Sequence, residues 1–350
     1  MDPVSEISGQ IRQLAAGKDL SDPALAAIVS SSGQDGALAC EADAARRRMY
    51  GTDVYLRGLI EISSYCRNNC YYCGLRAGNA KCLRYRLSED EILECCDEGY
   101  NLGFRTFVLQ GGEDPCQTDV FVCSVVSSIK KKYPDCAVTL SLGEKEYSSY
   151  KAFYESGADR YLLRHETADE AHYRKLHPDS MSLGRRKECL FSLKEIGYQV
   201  GSGFMVGSPY QTADNIVSDL RFLQELSPDM IGIGPFIPHH ATPFSNFNSG
   251  SAQQTVRLVS VLRLMFPYAL IPATTSLATI GEKYREKALL SGANVIMPNL
   301  TPLKVRKKYE LYNRKLVSSL ESAQAVSELE KMLERIGYRA VSSRGDVKRG

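Results

Sequence analysis

An excess of charge of either sign is missing from this chain: 43 Lys and Arg oppose 41 Asp and Glu, for a formal net charge of +2. That balance gives no electrostatic case for a nucleic-acid partner. Apolar runs of about 18 residues are missing as well, so no membrane span is expected. Residues 1–6 have neither a basic stretch leading into an apolar one nor an Arg-rich, acid-poor character, so no signal or transit peptide is expected. No internal repeat of fixed period and no low-complexity segment occurs, and no cysteine follows Cys189. The 11 cysteines are odd in number and nothing marks the chain as secreted. A disulfide framework is therefore not expected, and a reduced cytoplasm is.

What remains is a chain of 350 residues, 43% hydrophobic and 24% charged, as suits a soluble globular protein with a large core. The length exceeds one ordinary domain but is common for a (β/α)8 barrel. Residues 1–50 read as an N-terminal helical cap, with Ser21, Asp22 and Pro23 as a helix-start signal. Across 51–301, eight short apolar, β-branched runs end in loops of Gly, Ser, Thr or Pro: 54–63, 106–112, 137–143, 160–167, 199–207, 230–236, 270–276 and 295–301. They alternate with amphipathic segments such as 88–102, 147–156, 185–196 and 212–226, and Ser88 with Glu91 fits a capping box. This alternation predicts an α/β fold, a parallel sheet closed as a (β/α)8 TIM-type barrel. Residues 302–350 read as a C-terminal helical extension, with a helix over 319–336 and a basic, solvated end over 344–350.

The stretch that carries chemistry follows the first run. Cys66, Cys70 and Cys73 fall within eight residues, spaced C-x3-C-x2-C. Thiolates this close suit one soft metal centre, and iron-sulfur clusters are held in this way. Three protein ligands leave one iron of a cubane cluster open, as a catalytic zinc keeps an open position. A structural zinc would want a fourth ligand, for which only Cys82 is at hand.

Unusual residues fall at the ends of other runs, where a parallel barrel keeps its reactive groups. Gln110, Gly111, Gly112 and Glu113 end the second, and paired glycines let a backbone approach a ligand. In the fourth run, period two puts Arg160, Leu162, Arg164 and Glu166 on one face. Charge on a strand buried on both sides argues for a ligand-filled lumen, against the plainer reading of an internal Arg-Glu salt bridge. Arg57 repeats the anomaly in the first run, while His165 on the opposite face reads as a structural hydrogen bonder. Arg185 and Arg186 offer planar forks to a carboxylate. Residues 201–207, with Met205, make a glycine-rich apolar strand end suited to a flat adenine, and Thr274, Thr275 and Ser276 offer hydroxyls.

The cysteine spacing, with Tyr72 before the last cysteine, resembles the signature of the radical S-adenosylmethionine (SAM) enzymes. Stretches 65–76 (YCRNNCYYCGLR), 108–114 (VLQGGED), 138–144, 157–167 (GADRYLLRHET), 231–239 (IGIGPFIPH), 271–275 and 292–299 resemble the HydE-type maturases of FeFe hydrogenase, in the group that also holds biotin synthase and methylornithine synthase. The resemblance implies one 4Fe-4S cluster on Cys66, Cys70 and Cys73, chelated by SAM. It further implies SAM contacts from Gln110, Gly111, Gly112, Glu113, Ser141, Tyr72, Met205 and Tyr309, with Glu166 on the ribose and Arg186 on the methionine carboxylate. Arg57, Arg160, Arg164, Thr274 and Thr275 would line a substrate pocket; no catalytic side chain is assigned.

The implied chemistry is reductive cleavage of SAM to methionine and a 5'-deoxyadenosyl radical, with the electron coming from a flavodoxin- or ferredoxin-type donor. The implied substrate is a small anionic, iron-containing species from a partner maturase, and the implied partners are a scaffold maturase and other hydrogenase-pathway proteins. Some members carry a second cysteine cluster towards the C-terminus, which this chain lacks. Rival readings are a methylornithine synthase-like mutase, a biotin synthase, which would need pocket ligands for a second cluster, and a non-catalytic iron-sulfur scaffold.

Overall fold

Strand pairing occurs in each of the eight apolar runs, and the pairs close into a ring. The computed structural model describes residues 3–31, 33–315 and 325–348. Three helices come first: α1 (Pro3–Ala15), α2 (Asp22–Ser30) and α3 (Asp35–Tyr50). The barrel then runs through β1 (Asp53–Leu56), β2 (Gly58–Ser63), α4 (Glu89–Asn101), β3 (Thr106–Gly111), α5 (Asp119–Lys132), β4 (Ala137–Ser141), α6 (Tyr147–Glu155), β5 (Arg160–Leu162), α7 (Glu170–Leu176), α8 (Leu183–Ile196), β6 (Gln199–Ser202) and β7 (Met205–Val206). It continues with α9 (Ala213–Leu226), β8 (Met230–Ile231), β9 (Gly234–Pro235), α10 (Ala252–Met265), α11 (Thr275–Ile280), α12 (Glu282–Leu290) and β10 (Val295–Ile296), before α13 (Leu303–Arg306), α14 (Val326–Arg335) and β11 (Arg339–Val341).

The order β2-β3-β4-β5-β6-β8 is parallel throughout. Single bridges carry it on from Met230 to Leu270, from Pro272 to Val295 and from Asn299 back to Leu59, which closes the (β/α)8 barrel. Parallel strands with helices outside are buried on both faces, and β2 accordingly has no exposed residue. Helix starts follow their caps: Ser88 Oγ accepts the Glu91 amide at 3.2 Å while Glu91 Oε2 accepts that of Ser88 at 3.0 Å.

The N-terminal helices lie against the outer ring. Arg257 of α10 meets Asp35 at 2.6 Å, and Arg221 of α9 meets Asp19 and Asp22. Buried Arg46 of α3 donates to the carbonyls of Gly51, Asp53 and Ala293, fastening that helix to the amino ends of β1 and β10.

Two features depart from expectation. The first run breaks at Arg57: β2 stays in the barrel, while β1 pairs with β10 on one side and with β11, from the end of the chain, on the other. The charged end is not a solvated terminus as far as it is described. Its Arg344, Gly345 and Asp346 pass beneath the barrel, bonded to Arg160, Gln199 and Arg57. The helix expected over 319–336 is described from Val326; residues 319–324 lie outside the described residues. Among the described residues no helix is long and apolar enough to cross a membrane.

Candidate functional site

At the carboxyl end of the strands lies a cleft of about 300 Å³. Cys66, Cys70 and Cys73 line one side, and Arg164, Glu166 and Arg186 also line it. The loop carrying the cysteines has almost no regular structure of its own and is held by its surroundings. The Arg67 amide donates to Glu113 O, that of Tyr71 to Leu176 O and that of Gly74 to Leu311 O, each within 3.0 Å. Asp114, the last residue of the Gln-Gly-Gly-Glu-Asp stretch, anchors the base of the loop. Its buried carboxylate takes both forks of Arg86, at 2.6 and 2.9 Å, and the Ser63 hydroxyl. Arg86 in turn covers the Tyr65 ring at 3.6 Å, next to Cys66. Gly112 is a glycine for lack of space: a Cβ there would stand 2.3 Å from Tyr65 O and 2.6 Å from Cys66 Cβ.

All three cysteines are free and half-buried. Burial pushes the Cys70 thiol up to about 12, and raises Cys66 and Cys73 as well. A thiol so disfavoured as a bare anion becomes a thiolate when a cation takes the proton's place. Among the described residues no three His, Cys, Asp or Glu side chains stand close enough together for a single ion. Donors that give each thiolate its own iron stand further apart than that.

On the other wall Glu166 adopts φ 66°, and its carboxylate pairs with Arg164 at 3.0 Å. Buried Arg186 pairs with Glu144 at 2.6 Å; burial works most strongly against its charge, but Glu144, Tyr173, Tyr72 and Glu113 together outweigh that and hold it protonated. Arg185, one residue earlier, turns outward to Glu188 and Glu146. Gln110 donates to Tyr309 Oη at 3.3 Å, and both line the cleft with Gly111, Gly112, Glu113, Ser141, Tyr72 and Met205. Sequence reasoning missed Glu144, Tyr312 and the residues that hold Tyr72. Tyr72 Oη stands 3.0 Å from Nε2 of His177, whose Nδ1 lies 3.1 Å from Tyr173 O. The carbonyl demands a proton on Nδ1, so Nε2 accepts from the tyrosine.

Four of the five expected pocket residues fall elsewhere. Arg57 and Arg160 sit at the far end of the lumen, where the tail carbonyls of Gly345 and Arg344 and the Asp346 carboxylate take their donors. Thr274 and Thr275 cap and begin α11; of the three neighbouring hydroxyl residues only Ser276 lines the cleft. Arg164 does line it, and the salt bridge to Glu166 is the plainer of the two readings of that charged face.

The buried histidines set a pH dependence. Burial lowers His177 to about 3, and lowers His172 too. A histidine depressed in the fold binds its proton more readily unfolded, so its contribution is complete above the unfolded value near 6.5 and is lost as pH falls below it. At pH 5.5, His177 alone accounts for a loss of about 1.4 kcal/mol. Denaturant melts at pH 7.5 and 5.5 check this, and His177→Gln should reduce the difference by about that amount.

The chain's residues fit a cluster and its SAM: three thiols on one clamped loop face Glu166 and Arg186, and among the described residues the Arg164 Nε atom has no hydrogen-bond partner. Comparison with known proteins agrees. Residues 60–223 match the Radical SAM superfamily. The chain is 44% identical over 321 residues to the FeFe hydrogenase maturase subunit HydE of Thermotoga maritima, covering 92% of this chain and 91% of that one. It is 31% identical to 3-methylornithine synthase of Methanosarcina acetivorans over 81% of each chain. Its fold matches the crystal structure of methylornithine synthase (PylB) with a TM-score of 0.82, at 27% identity over 95% of this chain and 97% of that one. It matches that of HydG, a maturase of the FeFe hydrogenase, with the same TM-score at 20% identity, covering 97% of this chain and 76% of that one. The chain therefore belongs to the radical SAM superfamily and, within it, to the HydE family of FeFe hydrogenase maturases.

Proposed function

We propose that this enzyme works on a small anionic, iron-containing intermediate during assembly of the diiron part of the FeFe hydrogenase active site. The observation that carries the reading is the gathering of Cys66, Cys70, Cys73, Glu166 and Arg186 around one cleft at the carboxyl end of the barrel. A single 4Fe-4S cluster on those cysteines, with SAM, supplies the 5'-deoxyadenosyl radical by reductive cleavage. The protein's own part is positioning and exclusion of water. Arg186 offers a charged fork to the methionine carboxylate in place of Glu144, and Glu166 offers oxygens to the ribose hydroxyls. The backbone of Gly111 and Gly112 approaches the amino group, with Gln110, Glu113, Ser141, Tyr72, Met205 and Tyr309 around it. Arg164, whose guanidinium is only partly satisfied by Glu166, is the cation available to an anionic substrate.

We take residues 51–301 as the catalytic unit, with 1–50 and 302–350 as supporting segments. A partner maturase would supply the substrate, a scaffold maturase would receive the product, and a flavodoxin- or ferredoxin-type protein in a reduced, anaerobic cytoplasm would give the electron. The test is a hydrogenase maturation mixture lacking only its HydE component. Adding this protein, loaded with iron and sulfide and given SAM, should restore hydrogenase activity. Formation of 3-methylornithine without such activation would move the assignment to the mutase, which shares the barrel.

A further inference from the structure

Behind the cleft wall, between β5 and α9, lies a polar cluster that the chemistry above does not use. His165, Ser202 and Asp219 are each fully buried. His165 Nδ1 stands 2.9 Å from Ser202 Oγ, and Nε2 stands 3.3 Å from Asp219 Oδ1. The imidazole is wedged between Phe204 and Phe222. Asp219 is out of place on its helix, whose other buried residues, Ile216, Val217, Leu220, Phe222, Leu223 and Leu226, are apolar. A carboxylate in such a place is costly, and an apolar residue there would avoid that charge-burial cost.

What Asp219 holds explains its presence. Its Oδ1 accepts the backbone amide of Ala168 at 2.5 Å, two residues past Glu166. Glu166 is one of four described non-glycine residues with positive φ, a conformation that persists only where the surroundings over-determine it. The surroundings do so here. The Glu166 amide donates to Gly203 O at 3.1 Å, its carbonyl accepts from Met205 at 3.3 Å, and the Thr167 amide donates to His165 O at 2.8 Å. These bonds fix the near side of the kink; Asp219, with the His165 ring 3.3 Å away and Ser202 behind that ring, fixes the far side. The kink is what turns the Glu166 carboxylate into the cleft and its neighbour His165 out of it.

We infer that Asp219, His165 and Ser202 form a positioning unit that sets the aim of Glu166 and thereby the affinity for the ribose diol of SAM; this rests on the reading of Glu166 given above. The test measures SAM dissociation constants on the cluster-loaded protein, with iron content and melting temperature recorded for each variant. Asp219→Leu is expected to weaken SAM binding roughly 10- to 100-fold, the loss typical of removing a group that orients a ligand-binding side chain, with iron content unchanged. Asp219→Asn keeps an acceptor for the Ala168 amide and should restore most of the affinity. In a Glu166→Gln background Asp219→Leu should add nothing, because it acts through a side chain no longer engaged.

Ser202→Ala keeps the test open if the leucine variant does not fold: it should weaken SAM binding several-fold at unchanged iron content. An unchanged dissociation constant in whichever of these two variants folds, with only the melting temperature lowered, overturns the proposal. If Glu166→Gln itself leaves SAM binding intact, it is the ribose assignment that fails.

Discussion

Cys70→Ala is expected to end the production of 5'-deoxyadenosine, lowering it by at least about three orders of magnitude, or about 4 kcal/mol of barrier, and to strip iron from the reconstituted protein. The reason lies in how the loop is built. Its backbone is fixed by hydrogen bonds to Glu113, Leu176 and Leu311, so the three thiols present themselves as a set and the loop cannot slide another donor into place. The Met181 thioether, 3.8 Å from Cys70 Sγ, is a neutral and weaker ligand. Burial keeps Cys70 a thiol until a cation claims it, so its affinity for the cluster is also the reason for its ionisation. Cys40→Ser, at an exposed cysteine in the N-terminal helix α3, is the control and should retain full iron and product. Iron retained in Cys70→Ala, with product still formed, would mean that another donor such as Cys82 completes the centre, and the reading of the loop would fall.

The eight strand positions, the cysteine loop and the inward turn of Arg164 and Glu166 were legible because each leaves a local pattern: alternation, ligand spacing, charge on a buried face. Height along the barrel leaves none. Arg160 and Arg164 share a face, yet four residues of strand separate them by about 13 Å. One therefore reaches the cleft while the other stands at the opposite end of the lumen. Arg57 is misread for the same reason, being at the break between β1 and β2 and pointing towards Met230 and the tail. Long-range pairing is equally silent. Nothing in residues 339–346 announces a strand beside β1 or a carboxylate for Arg160, because partners some 186 positions apart leave no mark on a single sequence. Glu144 went unnoticed because it follows Gly143 in a turn, where an acidic residue is unremarkable until Arg186 is seen against it.

Asp346→Ala should destabilise the protein by about 2–3 kcal/mol, somewhat under the roughly 3–5 kcal/mol for breaking a fully buried charge pair, while leaving SAM cleavage in the surviving folded protein unchanged. Arg160 is fully buried, and its guanidinium is shared among Asp346 at 2.6 Å, Arg344 O at 2.7 Å, Thr106 Oγ1 at 3.1 Å and Gln199 Oε1 at 3.2 Å. Removing the carboxylate leaves the neutral acceptors but no countercharge. Asp346 is itself partly open to water, and for that reason the full cost of an orphaned buried ion does not apply. With about 1.4 °C per kcal/mol for a chain of 350 residues, Tm should fall by about 3–4 °C. Acid should reproduce the effect. Burial alone would raise the Asp346 carboxyl, but hydrogen bonds from Arg344 and Gln199 and the charge of Arg160 outweigh it and hold it well below the usual range. A carboxylate depressed in the fold contributes fully above its unfolded value near 3.9 and loses that contribution as pH drops towards the folded one. The gap between wild type and Asp346→Ala should accordingly close below about pH 4, while the gap for Asp346→Asn should be smaller at every pH. Equal melting of wild type and Asp346→Ala at pH 7 would mean that Arg160 does not need Asp346 as its countercharge, and the floor of the lumen would again be a place for an anion.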